Sequence, residues 1–147
     1  MTVIKKKGEW QFGYRDTFSL DMSLGPIIYA GLKKFHEVLS ERSASGKSYG
    51  IPQEYAVEPF ENWDVNKNQW LSDIEKMMYA FNPKSEPDIM DYDFDFPNFM
   101  KEGSDAVDFT CSNEAERNRY HEDCKIHQQK VEEGLKLFGE KYQDLWW

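Results

Sequence analysis

Residues 16–39 read DTFSLDMSLGPIIYAGLKKFHEVL and predict the helix against which the rest of the chain packs. With 100° between successive residues, one narrow apolar stripe emerges on this helix. It consists of Leu20, Leu24, Ile27, Gly31, Phe35 and Val38. Ile28, Leu32 and Leu39 widen the stripe on one side. A helix this apolar must be covered by other elements, which places it at the centre of a helical core.

The polar residues of the same stretch predict how this helix begins and where a charge is buried. Asp16 or Thr17 is the expected N-cap. Pro26 points away from the stripe, so we expect a kink rather than an end. Asp21 lies on the apolar flank, where a carboxylate needs a hydrogen bond or a cationic partner. It is a structural tether or a site residue, and the sequence leaves both open.

Length and composition restrict the class of protein. A chain of 147 residues is expected to form a single domain. Its net charge of -9 argues against direct nucleic-acid binding, because phosphate contacts need a surplus of lysine and arginine. We expect no membrane association, since no run approaches the length of a membrane span. The two cysteines lack CxxC spacing, which favours a reducing cytoplasm.

Hydrophobic periodicity and turn residues predict the architecture of the whole chain. The fold class is mostly α: a bundle of three main helices with an extended N-terminal arm and a long acidic-aromatic loop. The predicted segments are an arm at 1–15, helices at 16–40, 67–82 and 113–143, a loop at 41–65, an acidic-aromatic strap at 84–110 and an apolar tail at 144–147.

Capping boxes predict the starts of the second and third helices. Asn66 is followed three residues later by Gln69, and Asn113 by Glu116. The stripe of the third helix is Tyr120, Cys124, His127, Val131, Leu135, Phe138, Tyr142 and Leu145. Gly134 lies beside that stripe, so we expect the first and third helices to cross closely at their glycines. The apolar tail is expected to dock on its own chain or on a partner.

The strap alternates acidic and aromatic residues, which predicts rings on the helices and carboxylates in water. Its carboxylates include Asp88, Asp91, Asp93 and Asp95. As an alternative function, these four could imitate a phosphate backbone and bind a basic partner protein.

A second set combines aromatic rings with cations, which a nucleotide-sized anion needs for stacking and charge. We predict these ligand-binding residues to be Trp10, Tyr14, Arg15, Lys47 and Tyr49. No catalytic residue, metal site or cofactor is predicted. His121, Cys124 and His127 share one arc of the third helix, where they are either core residues or functional ones.

Three segments resemble a pattern found in small uncharacterised bacteriophage proteins. The first helix, with DTFSLDMSLGPIIYAGLKKFHEV, resembles DTWSLDxTLA followed by an apolar helix. NQWLSDIEKMMYAF is similar to EEWxxxLxKMxxAF, and VEEGLKLFGEKYQDLWW is similar to QEGLxLFxxYFxxLWD. This chain departs from the pattern at Gly25-Pro26 and in its longer acidic segment. The resemblance implies a phage origin and a mostly helical fold, without an established activity.

A phage origin without catalytic motifs implies a host-takeover or counter-defence protein that acts by binding. The first hypothesis is a homo-oligomeric sponge that sequesters a small nucleotide signal of bacterial immunity. The alternative is an acidic inhibitor that docks on a basic host defence protein. A second alternative is a phosphodiesterase-like enzyme that uses carboxylates with His121 or His127.

Overall fold

The computed structural model describes residues 4–47, 50–56, 63–97 and 110–146. It confirms the predicted class, with three main helices and a short N-terminal strand pair. The elements are β1 (Ile4–Lys6), β2 (Glu9–Gln11), α1 (Leu20–Ala44), α2 (Trp63–Phe81) and α3 (Glu114–Lys141). Among the described residues, no helix is both long and apolar enough to cross a membrane.

Contacts group the chain into two compact units, which are described separately. The first unit consists of Met1–Pro83 with Lys130–Trp147, and the second of Lys84–Gln129. The first unit therefore contains β1, β2, α1, α2 and the C-terminal part of α3. The second contains the strap and the N-terminal part of α3.

The N-terminal arm of the first unit forms an antiparallel hairpin. Ile4 pairs with Gln11, and the connecting residues Lys7 and Gly8 have φ angles of 52° and 87°. Positive φ at both central positions is the conformation of the tight turns that match strand twist. Trp10 on β2 is 66% exposed, so the arm is a short strand pair rather than a strap over the core.

Helix α1 begins at Leu20, four residues after the predicted cap Asp16. Asp16 lies instead in a 3-10 turn, Tyr14–Thr17, where its buried carboxylate accepts a 3.1 Å hydrogen bond from the Gly13 N–H. The Asp16 carbonyl accepts another from the Ser23 hydroxyl, at 2.9 Å. Asp16 therefore fixes the chain entering α1. Pro26 does not end the helix, as predicted, because α1 continues to Ala44.

The buried face of α1 is the flank of the predicted stripe. Leu32 and Leu39 are buried, whereas Leu20 and Ile27 are 44% and 42% exposed. Residues 28, 32, 35 and 39 repeat at the same helical spacing as the predicted stripe, so periodicity alone does not select between them. Asp21 is exposed, which contradicts its predicted burial.

Helix α2 supplies most of the core through Trp70, Ile74 and Met77, which are fully buried. It begins at Trp63, so the predicted capping box at Asn66 is wrong. Gln69 uses its side-chain amide to donate to the Asp73 carboxylate at 3.2 Å. The end at Phe81, before Asn82-Pro83, is as predicted.

The close approach of α3 at Gly134 is to α2, not to Gly31 of α1 as predicted. A Cβ atom built on Gly134 would lie 2.7 Å from the Ala80 Cβ, and closer still to the Lys76 carbonyl oxygen. Gly31 has no neighbouring atom within 4 Å of such a Cβ. Only Gly134 is therefore needed for a close approach of two helices. The predicted pairing of the two glycines is wrong.

The predicted docking of the C-terminal tail is seen in part, since Trp146 remains 58% exposed and Trp147 lies outside the described residues. Leu145 is half-buried against the core. The Trp146 ring lies on Gly50, where an added Cβ would come within 2.7 Å of a ring atom. Position 50 therefore has no room for a side chain while the ring stays in place.

Candidate functional site

The strap of the second unit presents carboxylates to solvent and rings to α3. Asp91, Asp93 and Asp95 are exposed, while Tyr92 and Phe94 between them are half-buried. Both rings meet Tyr120 of α3 edge-on, with centroid distances of 5.0 and 5.5 Å. The predicted alternation is therefore present at residues 91–95, whereas the apolar side chains of Ile89, Met90 and Phe96 are exposed. Asp88 is also exposed, and its side chain accepts a hydrogen bond from the Met90 N–H.

Residues at the start of α3 hold the strap through its main chain. The Asp93 N–H donates to Glu116 at 3.0 Å, and the Asp93 carbonyl accepts from the Asn113 amide at 2.8 Å. Arg119 donates to the Asp91 carbonyl at 3.1 Å. Because these bonds use main-chain atoms, the carboxylates of Asp91 and Asp93 stay in solvent while the segment is fixed.

Asn113 and Glu116 perform only half of the predicted capping box. The Glu116 N–H donates to the Asn113 side chain at 3.4 Å, which caps α3. The Glu116 carboxylate turns to the strap and to Arg119, which lies 2.7 Å away. The Arg119 hydrogen bond, followed by that from the Asp93 N–H, lowers the pKa of Glu116.

Tyr92 is the most constrained ring of the strap. Its hydroxyl donates to the Asp123 carboxylate at 2.6 Å, and the Arg119 guanidinium lies 4.6 Å from its ring centroid. The hydrogen bond to Asp123 is the main cause that raises the pKa of Tyr92 to about 12.

We therefore expect the Asp123→Asn substitution to return the pKa of Tyr92 toward its ordinary value of 10. A raised pKa means that this hydrogen bond stabilises the fold below pH 10, and that its contribution disappears as pH rises to about 12. An NMR titration of the Tyr92 ring measures the change. Glu122→Gln, on an exposed neighbour, is the control and should leave the titration unchanged. An unaltered Tyr92 pKa in Asp123→Asn would contradict this assignment.

A groove of about 490 Å³ lies between the strap and α3, within the second unit. Its apolar and aromatic lining is formed by Ile89, Phe94, Phe96 and Tyr120, and its polar lining by Thr110, Cys111, Arg117 and His121. The Phe94 and Phe96 rings are almost parallel, with an angle of 17° and centroids 6.0 Å apart. None of the described lining residues is a carboxylate.

The described members of the predicted ligand-binding set lie near opposite ends of α1. Tyr14 and Arg15 are exposed in the 3-10 turn before α1, and Trp10 is exposed on β2 beneath the Lys5 ammonium. Lys47 follows the other end of α1. A helix of 25 residues is about 37 Å long, which exceeds the reach of one nucleotide. Tyr49 lies outside the described residues.

The histidine and cysteine candidates of α3 are half-buried or exposed, and the described residues contain no group of three that could hold a metal ion. Cys124 lies beside Tyr120 and helps to raise the pKa of that phenol. His127 is half-buried, and His121 is exposed at the groove.

A buried polar cluster in the first unit was not predicted from the sequence. Asp73 accepts a hydrogen bond from the Tyr55 hydroxyl, and burial followed by this bond raises the pKa of Tyr55. Lys141 is buried, forms an ion pair with Glu54 and lies 5.3 Å from the Tyr55 ring centroid. Each polar group has a partner, which is typical of a structural cluster.

Comparison with protein-family models, curated proteins and solved structures gives no match. Within the described residues, the second unit combines an acidic row and an aromatic groove on one short stretch of helix and strap.

Proposed function

We propose that this is a non-catalytic binding protein that docks its strap on the basic, nucleic-acid-binding surface of another protein. The proposal is based on the alternation along the strap, which exposes Asp91, Asp93 and Asp95 to solvent together. Asp91 ends a short 3-10 turn, Ile89–Asp91, and Asp93 and Asp95 follow it at alternate positions, so the strap presents a row of three exposed like charges within five residues. Such a row is complementary to a surface that has evolved to bind phosphates.

Charge and rigidity both support this function. The described parts of the second unit carry nine Asp and Glu against four Lys and Arg. This excess attracts a basic partner over a distance of about 8–10 Å in physiological salt. Main-chain hydrogen bonds already order the strap, so binding costs little additional conformational entropy. The resemblance to bacteriophage proteins favours a host defence protein as the partner.

The other functional hypotheses receive less support. Sequestration of a nucleotide by Trp10, Tyr14, Arg15 and Lys47 would need residues from at least two copies of the chain, and this homo-oligomeric sponge stays a prediction. The enzyme hypothesis has no observation that favours it, so the acidic row remains the feature on which the function is proposed.

The test compares two variants with the same net charge. Asp91→Lys with Asp93→Lys reverses the row at positions whose main chain, not side chain, holds the strap. Glu122→Lys with Glu140→Lys reverses two exposed carboxylates on α3. Binding is measured against a panel of purified bacterial DNA-binding proteins, with and without competing duplex DNA. We expect the strap variant to lose at least about tenfold in affinity per reversed charge.

The control variant should retain most of its affinity, and binding should weaken as salt rises. Equal losses in the two variants would indicate a response to net charge rather than to the row. If the unaltered protein neither binds the panel nor competes with DNA, the proposed function is wrong.

A further inference from the structure

We propose that the groove of the second unit binds a mononucleotide-sized ligand, with an aromatic base on its phenylalanine rings and a phosphate at Arg117 and His121. This site goes beyond the docking function and does not depend on it. It also uses none of the residues that the sequence predicts for nucleotide binding.

The rings of the groove form a platform for a flat heterocycle. Phe96 remains 38% exposed although its ring lies nearly parallel to that of Phe94. Tyr120 meets Phe94 edge-on with ring centroids 5.5 Å apart, which orients Phe94, and Phe96 is oriented in turn by stacking on Phe94. A fixed aromatic face left in solvent suits stacking with a base, which contributes about 1–3 kcal/mol per base in single-stranded nucleic-acid complexes.

The polar lining of the groove favours an anion. Arg117 and His121 are one helical turn apart on α3 and both line the groove. In a unit rich in Asp and Glu, none of the described lining residues carries a negative charge. His121 offers a ring N–H donor in either protonation state, and arginine binds phosphate with two parallel N–H donors.

The existing partner of Arg117 does not block this role. The Arg117 guanidinium lies 3.7 Å from the Glu114 carboxylate, and both side chains are exposed. Exposed ion pairs at this distance contribute little to stability. A phosphate that forms shorter, charge-assisted hydrogen bonds with Arg117 therefore replaces the contact with Glu114. The volume of about 490 Å³ is within the range of roughly 300–1,000 Å³ of small-molecule sites.

The rates at which two cysteines react with iodoacetamide measure ligand binding in the groove. Both cysteines are half-buried, and of the two only Cys111 lines the groove. Both are free thiols. We propose to follow their alkylation by iodoacetamide with mass spectrometry while adding AMP, adenosine or inorganic phosphate. With AMP at ten times its dissociation constant, alkylation of Cys111 should slow about tenfold, while Cys124 keeps its rate.

Two variants test which residues of the groove bind the base and which bind the phosphate. Phe96→Ala should remove protection by AMP through loss of stacking, and Arg117→Gln with His121→Gln should do so through loss of the phosphate contacts. Lys136→Gln, on an exposed lysine about four turns further along α3, is the matched control and should leave protection intact. The Asp91→Lys, Asp93→Lys variant should also bind AMP, which separates this site from docking by the strap.

Adenosine should bind at least about tenfold more weakly than AMP, and inorganic phosphate should not protect Cys111. Protection by adenosine equal to that by AMP would overturn the anion selectivity. An unchanged Cys111 rate with AMP, or equal protection of Cys124, would overturn the site. Circular dichroism of each variant distinguishes a lost contact from a lost fold.

Discussion

Replacement of Gly134 with leucine is expected to destabilise the first unit by about 3 kcal/mol or more. A Cβ at this position would already overlap the Ala80 methyl group and the Lys76 carbonyl oxygen. The obstacle includes the main chain of α2, which cannot rotate away as a flexible side chain can. The two helices would have to separate, exposing Ile74 and Met77, which are fully buried in the native core. Urea denaturation followed by circular dichroism measures the change in the free energy of unfolding.

The matched control is Gly31→Leu, the same exchange in the same type of element. No atom lies within 4 Å of a Cβ at Gly31, and the position is exposed. Leucine has a higher helix propensity than glycine, so this variant should be more stable by about 0.5–1 kcal/mol. A lower free energy of unfolding in Gly134→Leu together with a higher one in Gly31→Leu would agree with a close approach of helices at Gly134 and not at Gly31. Two equally harmless substitutions would show that α2 and α3 do not pack as described.

Truncation of Trp70 to alanine is expected to cost about 3–5 kcal/mol, a large fraction of the stability of a small protein. Trp70 is fully buried in the core formed with Leu39, Ile74 and Met77. Its ring also packs on Tyr55, with centroids 5.2 Å apart. The alanine variant would leave a cavity under the Tyr55–Asp73 hydrogen bond. The urea midpoint and near-ultraviolet circular dichroism report the loss.

The variant Trp70→Phe separates the effect of ring volume on stability from the effect of the indole N–H. That N–H is buried and has no hydrogen-bond partner among the residues that the structure describes, so phenylalanine removes an unsatisfied donor together with part of the ring. We expect a cost below half of that of Trp70→Ala. If the phenylalanine variant is as unstable as the alanine variant, the indole N–H contributes to stability, and a water would have to bridge it to the protein.

The helical class could be predicted because three apolar patterns repeat at helical spacing and Asn82-Pro83 ends one of them. Helix starts were predicted less well. Asp16 and Asn66 have the side chains of N-caps, yet Asp16 binds the Gly13 N–H, and α2 begins before Asn66. A capping side chain shows that a helix can begin at a residue, while tertiary packing determines whether it does.

The candidate site was predicted in part for a similar reason. Alternation along the strap is a local property, and the exposed row from Asp91 to Asp95 agrees with it. Whether Arg15 and Lys47 lie close together depends instead on long-range contacts. In the structure they lie near opposite ends of α1. The groove also depends on contacts between segments more than twenty residues apart, such as Phe94 with Tyr120. No periodicity in the sequence indicates that pair.

The manner in which α3 holds the strap has a consequence for evolution. Asp91 and Asp93 contribute carbonyl and amide groups to the attachment, and every amino acid except proline supplies the same groups. Mutations at these two positions can therefore alter what the surface recognises without weakening its support. Such a segment can follow a target that changes under selection, or acquire a different one, while the scaffold beneath it is inherited intact.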